Sequence, residues 1–91
     1  MDSSKFDEMD FPEPVAVRFD EGNFWTTLKD GREIGVPLIW YPRLFNAPPD
    51  QLEKFELSPT GIHWDEIDED ISVLSIVLGY KSHEFRAADA A

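Results

Sequence analysis

The 91-residue chain contains no cysteine. That excludes disulfides and thiolate zinc sites, and an unstapled small domain fits a reducing cytoplasm. No long hydrophobic run is present either. The longest, "VLSIVLGY" at 73–80, falls far short of the roughly 20 residues a membrane-spanning helix needs. The acidic start "MDSSKFDEMDF" has neither the basic flank nor the apolar segment of a secretory signal. Basic residues are scarce: 8 Lys and Arg face 19 Asp and Glu, for a net charge of −11. Nucleic-acid binding rests on cations that displace counterions from phosphates, so direct DNA or RNA binding is not expected. Anionic membrane surfaces are disfavoured for the same reason.

Catalytic patterns are missing too. No Ser lies in a G-x-S-x-G elbow and no glycine-rich phosphate loop occurs. A two-carboxylate glycosidase needs a larger cleft than a chain of this size forms. The expectation is a protein that is not an enzyme and carries no cofactor.

What is present suffices for one folded domain. Hydrophobic residues make up 42% of the chain, with three Trp, two Tyr and seven Phe. Residues 1–13 hold five acids and one Lys and read as a flexible acidic arm. From Pro14 the pattern has period two. Val15, Val17 and Phe19 share one face; after the turn "DEGN", Phe24, Thr26 and Leu28 share another. Asp30-Gly31 signals a tight hairpin of type I′, because Gly accepts the positive φ required there. "REIGV" returns with Arg32, Ile34 and Val36 in register. These segments predict a three-stranded antiparallel meander.

Prolines then punctuate the chain. Pro42 suits the first turn of a short helix, "PRLFNA", and Pro48 and Pro49 open a second, "PDQLEKFEL", whose Leu52 and Phe55 should pack on the sheet. "SPTG" is a turn and "IHW" a short edge strand. Ile71, Leu74, Val77 and Leu78 form an apolar stripe at helical spacing, ended by Gly79. The fold class is therefore α+β: the meander, short helices, an edge strand and a C-terminal helix. The organisation is arm 1–13, compact domain 14–79 and a weakly ordered tail 80–91.

The stretch "GIHWDEIDEDI" at 61–71 carries the densest chemistry. Its carboxylates, Asp65, Glu66, Asp68, Glu69 and Asp70, have three readings. They would stabilise the amino end of the 70–78 helix. A calcium loop would need glycine and further acids at positions this stretch lacks, and His63 with the distant His83 gives too few nitrogen ligands for zinc. The third reading is a protein-binding edge, in which exposed acids pair with Arg or Lys. Trp64 and Trp40 are then candidate aromatic anchors.

The segment "YPRLFNAPPDQLEKFELSPTGIHWDEIDEDISV" resembles the small bacterial family known as domain of unknown function 2442. Pro42, Arg43 and Leu44 match its P-R-L. Gly61, Ile62, His63, Trp64, Asp68, Glu69, Asp70 and Ile71 match its G-I-H-W-x-x-hydrophobic-D-E-D-I, and "DGREIGVPL" at 30–38 fits as well. The resemblance implies a compact α+β domain of antitoxin-like or regulatory type, encoded beside a small toxin-type partner. Some members add a helix-turn-helix domain, whereas only twelve residues follow Gly79 here, so direct operator binding is not expected. "LSIVLGY" also replaces the family's usual small residues.

The resulting expectation is a cytoplasmic, antitoxin-like binding domain. Its partner would be a small basic protein, such as an RNase toxin, met by Trp40, Trp64, Asp65, Glu66, Asp68, Glu69 and Asp70. Two alternatives remain open: an acidic mimic of nucleic acid that blocks a nucleic-acid enzyme, and a regulatory module that acts as a homo-oligomer.

Overall fold

A computed structural model describes residues 11–85. Most of the expected arm and the last six residues of the expected tail lie outside that range. The order of elements is β1 (Pro14–Phe19), β2 (Asn23–Leu28), β3 (Glu33–Pro37), a 3₁₀ turn (Leu38–Trp40), α1 (Pro42–Phe45), α2 (Pro49–Leu52), β4 (Phe55–Ser58), β5 (Gly61–Trp64), β6 (Glu69–Ser72) and α3 (Val73–Leu78). The strands form two antiparallel three-stranded sheets, ordered β1-β2-β3 and β4-β5-β6. The fold is α+β, as expected.

The first sheet is the predicted meander. Phe24, Thr26 and Leu28 are buried, and Phe24 pairs with Val36 across the strands. Two details differ. Between Pro14 and Ala16 the register slips by one residue, a bulge that reverses the alternation. Pro14 is therefore buried while Val15 turns outward. The β2–β3 connection is also longer than a two-residue type I′ turn. Gly31 donates its N–H to the Leu28 carbonyl, the Leu28 N–H reaches Arg32, and only Gly31 takes positive φ, at 99°. That is a type I turn followed by a left-handed glycine, the common three-residue hairpin loop. Asp30 favours it by accepting from the Arg32 amide at 3.1 Å.

The second half departs further from expectation. The helix opened by Pro49 ends at Leu52, and Phe55–Ser58 is a strand. "IHW" belongs not to an edge but to β5, the middle strand of the second sheet. The helix read from residue 70 begins only at Val73, since Glu69–Ser72 pairs with β5. Ser72 caps α3 by accepting from the Ser75 amide, and no acid lies in its first turn. The helix-capping account of the acids therefore fails. The helix buries Val73 and Ile76, while Leu78 stays exposed. Gly79 closes it at φ 79°, and the amides of Gly79 and Tyr80 both reach the Ser75 carbonyl.

The core lies between the sheets. Phe24, Val36, Leu38, Tyr41, Leu44, Leu52, Ile62, Trp64, Ile71 and Ile76 form one buried cluster. Trp64 sits at its centre, edge-on to Phe24 at 6.1 Å between ring centroids and tilted against Phe55 at 6.4 Å. Its indole N–H donates to the Leu52 carbonyl at 3.0 Å, so its one polar atom is satisfied inside the protein.

Candidate functional site

The acids of 65–70 occupy the hairpin between β5 and β6. Asp65 to Asp68 form its loop, closed by the Asp68 amide donating to the Asp65 carbonyl at 3.3 Å. Asp68 has positive φ, 53°, a conformation that Asp accepts more readily than most side chains. The alternation of β6 then separates the remaining two acids. Asp70 points outward beside His63, and Glu69 points inward across from Trp64.

The outer face thus carries a row of charge. Glu56, His63 and Asp70 lie opposite one another on β4, β5 and β6. The His63 ring nitrogens lie 3.5 Å from Asp65 and 3.9 Å from Asp70. The side chains of Asp65, Asp68 and Asp70 are 89, 93 and 80% exposed. Glu66 pairs with Lys54 at 3.4 Å. No group of three or more His, Asp or Glu among the described residues could hold a metal ion.

Arg43 fixes the hairpin from behind. Its Nη1 donates to the Asp68 carbonyl at 2.7 Å and approaches the Asp68 carboxylate at 3.5 Å. Its Nε and Nη2 grip Glu84 at 3.2 and 3.1 Å. The Glu84 hydrogen bond, with its charge, holds the guanidinium even more firmly protonated than usual. Tyr41, Arg43, Glu69 and residues 80–84 surround an open cleft of about 560 Å³. In it the Tyr41 hydroxyl donates to the Tyr80 carbonyl at 2.7 Å. Burial, with the Glu69 charge, pushes the Tyr41 hydroxyl up from its ordinary value.

Glu69 is the strained member. Its Oε1 accepts from the Asp70 amide at 3.2 Å, while Oε2 is buried without a hydrogen-bond partner. Burial raises its carboxyl above the ordinary 4.5, helped by the charges of Glu84 and Asp68 and opposed by the Asp70 amide and Arg43. A raised folded-state value means that ionised Glu69 destabilises the fold at neutral pH. The penalty is complete above that raised value and disappears as pH falls to 4.5. Glu69→Gln, which removes the charge but keeps a polar group in the same place, should therefore stabilise the protein at pH 7. Thermal melts of both forms across pH should show the gain shrinking as the solution is acidified.

The seven residues singled out from sequence do not form one surface. Asp65, Glu66, Asp68 and Asp70 are together and exposed. Glu69 faces the cleft. Trp64 is fully buried beneath the hairpin; its side chain fills the core and is not offered to a partner, which corrects its assignment as an anchor. Trp40 lies apart on the 3₁₀ turn, half-buried, with the Lys81 ammonium 4.5 Å above its ring. Sequence reasoning passed over Arg43, Tyr41, Glu56 and Glu84 as site residues. Reading "EDIS" as an alternating strand would have exposed the Glu56–His63–Asp70 row, but nothing local signals the Arg43 contacts, which span 25 and 41 positions.

A family model described as protein of unknown function (DUF2442) matches residues 14–82. A crystal structure of a protein of unknown function from Rhodospirillum rubrum is similar, with a TM-score of 0.69 and 25% identity, over 80% of this chain and 93% of that one. A solution structure of an uncharacterised protein from Chromobacterium violaceum also has a TM-score of 0.69, at 21% identity, over 86% of this chain and 75% of that one. No curated protein matches.

Proposed function

This chain belongs to the family of proteins of unknown function DUF2442, and from that premise we propose that it is a non-enzymatic, acidic protein-binding domain of antitoxin type. Its partner is a small basic protein, such as an RNase toxin, whose Lys and Arg side chains meet the β5–β6 hairpin. The exposure of Asp65, Asp68 and Asp70, at 89, 93 and 80%, carries this reading. Three carboxylates on one braced hairpin keep most of their surface in water, in a chain of net charge −11. Exposed ion pairs contribute only about 0.2–1 kcal/mol each, so the acids set encounter rate and orientation more than affinity. Exposed Tyr80, which lines the same cleft as Asp68 and Asp70, supplies the apolar contact that affinity needs.

Affinity capture of the tagged full chain from its native host, with and without nuclease, should return a small basic protein in near-stoichiometric yield. The purified partner should bind an Asp65→Asn, Asp70→Asn double variant roughly 2- to 30-fold more weakly, and with a shallower salt dependence. Recovery of the chain alone, or of a large nucleic-acid enzyme, sinks the reading. Equal binding by the double variant removes the hairpin from it.

A further inference from the structure

Residues 80–85 have no helix or strand, yet they are fastened one by one across the cleft. The Tyr80 carbonyl accepts from Tyr41, the Ser82 amide donates to the Trp40 carbonyl at 3.1 Å, Lys81 covers the Trp40 ring, and Glu84 takes the Arg43 fork. Local bonds hold Glu84 in place for that contact: its amide donates to the Ser82 hydroxyl at 3.0 Å, and the Phe85 amide to the Ser82 carbonyl at 3.0 Å.

These fastenings are polar and lie near the surface. The Arg43 and Glu84 side chains are 41 and 34% exposed, and Tyr80 is 55% exposed. Surface ion pairs are weak and salt-screened, and a segment with little buried apolar area opens more readily than the core beneath it. Arg43 is shared. The guanidinium that holds Glu84 also holds the carbonyl of Asp68, which among the described residues is the one non-glycine at positive φ.

We propose that residues Tyr80–Phe85 form a displaceable strap over the cleft, and that Arg43 couples its docking to the conformation of the Asp65–Asp68 turn. With the strap seated, the Arg43 fork is filled and the guanidinium is aimed at the turn. With Glu84 gone, Nε and Nη2 lose their acceptors, the guanidinium is free to rotate, and the Asp68 carbonyl loses a fixed donor. The strap and the turn then loosen together. This stands on contacts within the chain and does not depend on the hairpin being a binding surface.

Residue-resolved amide hydrogen exchange on the full-length protein tests it, with Glu84→Gln as the variant. The glutamine keeps the shape but cannot form the charged fork. Exchange at Ser82 and at the Asp68 amide should both accelerate, on the order of tenfold, while Ile62 and Trp64 stay protected. High salt should reproduce the effect in the unaltered protein and add little to the variant. Acceleration at Ser82 alone refutes the coupling. No acceleration at either site refutes the strap. Equal acceleration at Ile62 and Trp64 shows global loosening and refutes both.

Discussion

Trp64→Ala should unfold the domain at physiological temperature. The side chain is completely buried, touches Phe24 and Phe55 and satisfies its N–H on Leu52. Truncating a buried tryptophan costs about 3–5 kcal/mol, most of what a small domain has to spare. Far-ultraviolet circular dichroism of the variant beside the parent at physiological temperature shows the loss directly. Trp40→Ala provides the contrast, because its ring is only half-buried, packed against the outside of the core and covered by Lys81. It should lower the denaturation midpoint much less than Trp64→Ala. If Trp64→Ala proved as stable as the parent, the placement of Trp64 at the core's centre would be wrong. Any loss of partner binding in Trp64→Ala is thus expected to follow from loss of the fold.

The second large effect is expected at Gly61. A Cβ at that position would stand 2.5 Å from the carbonyl oxygen of Ile71 and 3.2 Å from the Cα of Ser72. Both are backbone atoms of the paired strand β6, so neither can turn aside as a flexible side chain would. Gly61→Ala must push β5 from β6 at the end that leads into α3, where Val73 donates to the Thr60 carbonyl. Overpacking of this kind costs about 1–3 kcal/mol or more, and a domain of this size melts roughly 4–8 °C lower per kcal/mol. A calorimetric scan should therefore place Gly61→Ala at least several degrees below the parent. Gly22→Ala, where nothing lies within 4 Å of the added atom, serves as the control.

Both predictions explain residues that motif comparison could quote without interpreting. In G-I-H-W, Gly61 permits the close approach of β6, Ile62 and Trp64 enter the core, and His63 takes the outer face between Glu56 and Asp70. Arg43 of P-R-L braces the acidic turn. The first sheet was legible because each strand carries its own alternation and its turns have characteristic residues. The second was not. Its strands are four residues long, too short for a period to declare itself. Ile71 also fell in line with Leu74 and Leu78, which lent the strand a helical appearance. What decides 69–72 is pairing with β5, and pairing is set by distant sequence. The exposed acids were visible as a cluster, but which of them face water and which turns inward depends on that same pairing.

The bulge in β1 bears on how copies of this chain behave in concentrated solution. β1 is an edge strand, and an exposed edge is a template on which another molecule's strand can grow into an aggregate. Here Pro14 has no N–H to offer, the slipped register at Val15 breaks the regular spacing of backbone groups, and Arg18 puts a charge farther along the same strand. A flat incoming strand would find neither the donors nor the geometry it needs. The irregularity that leaves Val15 half in water therefore also keeps this border of the sheet from seeding aggregation.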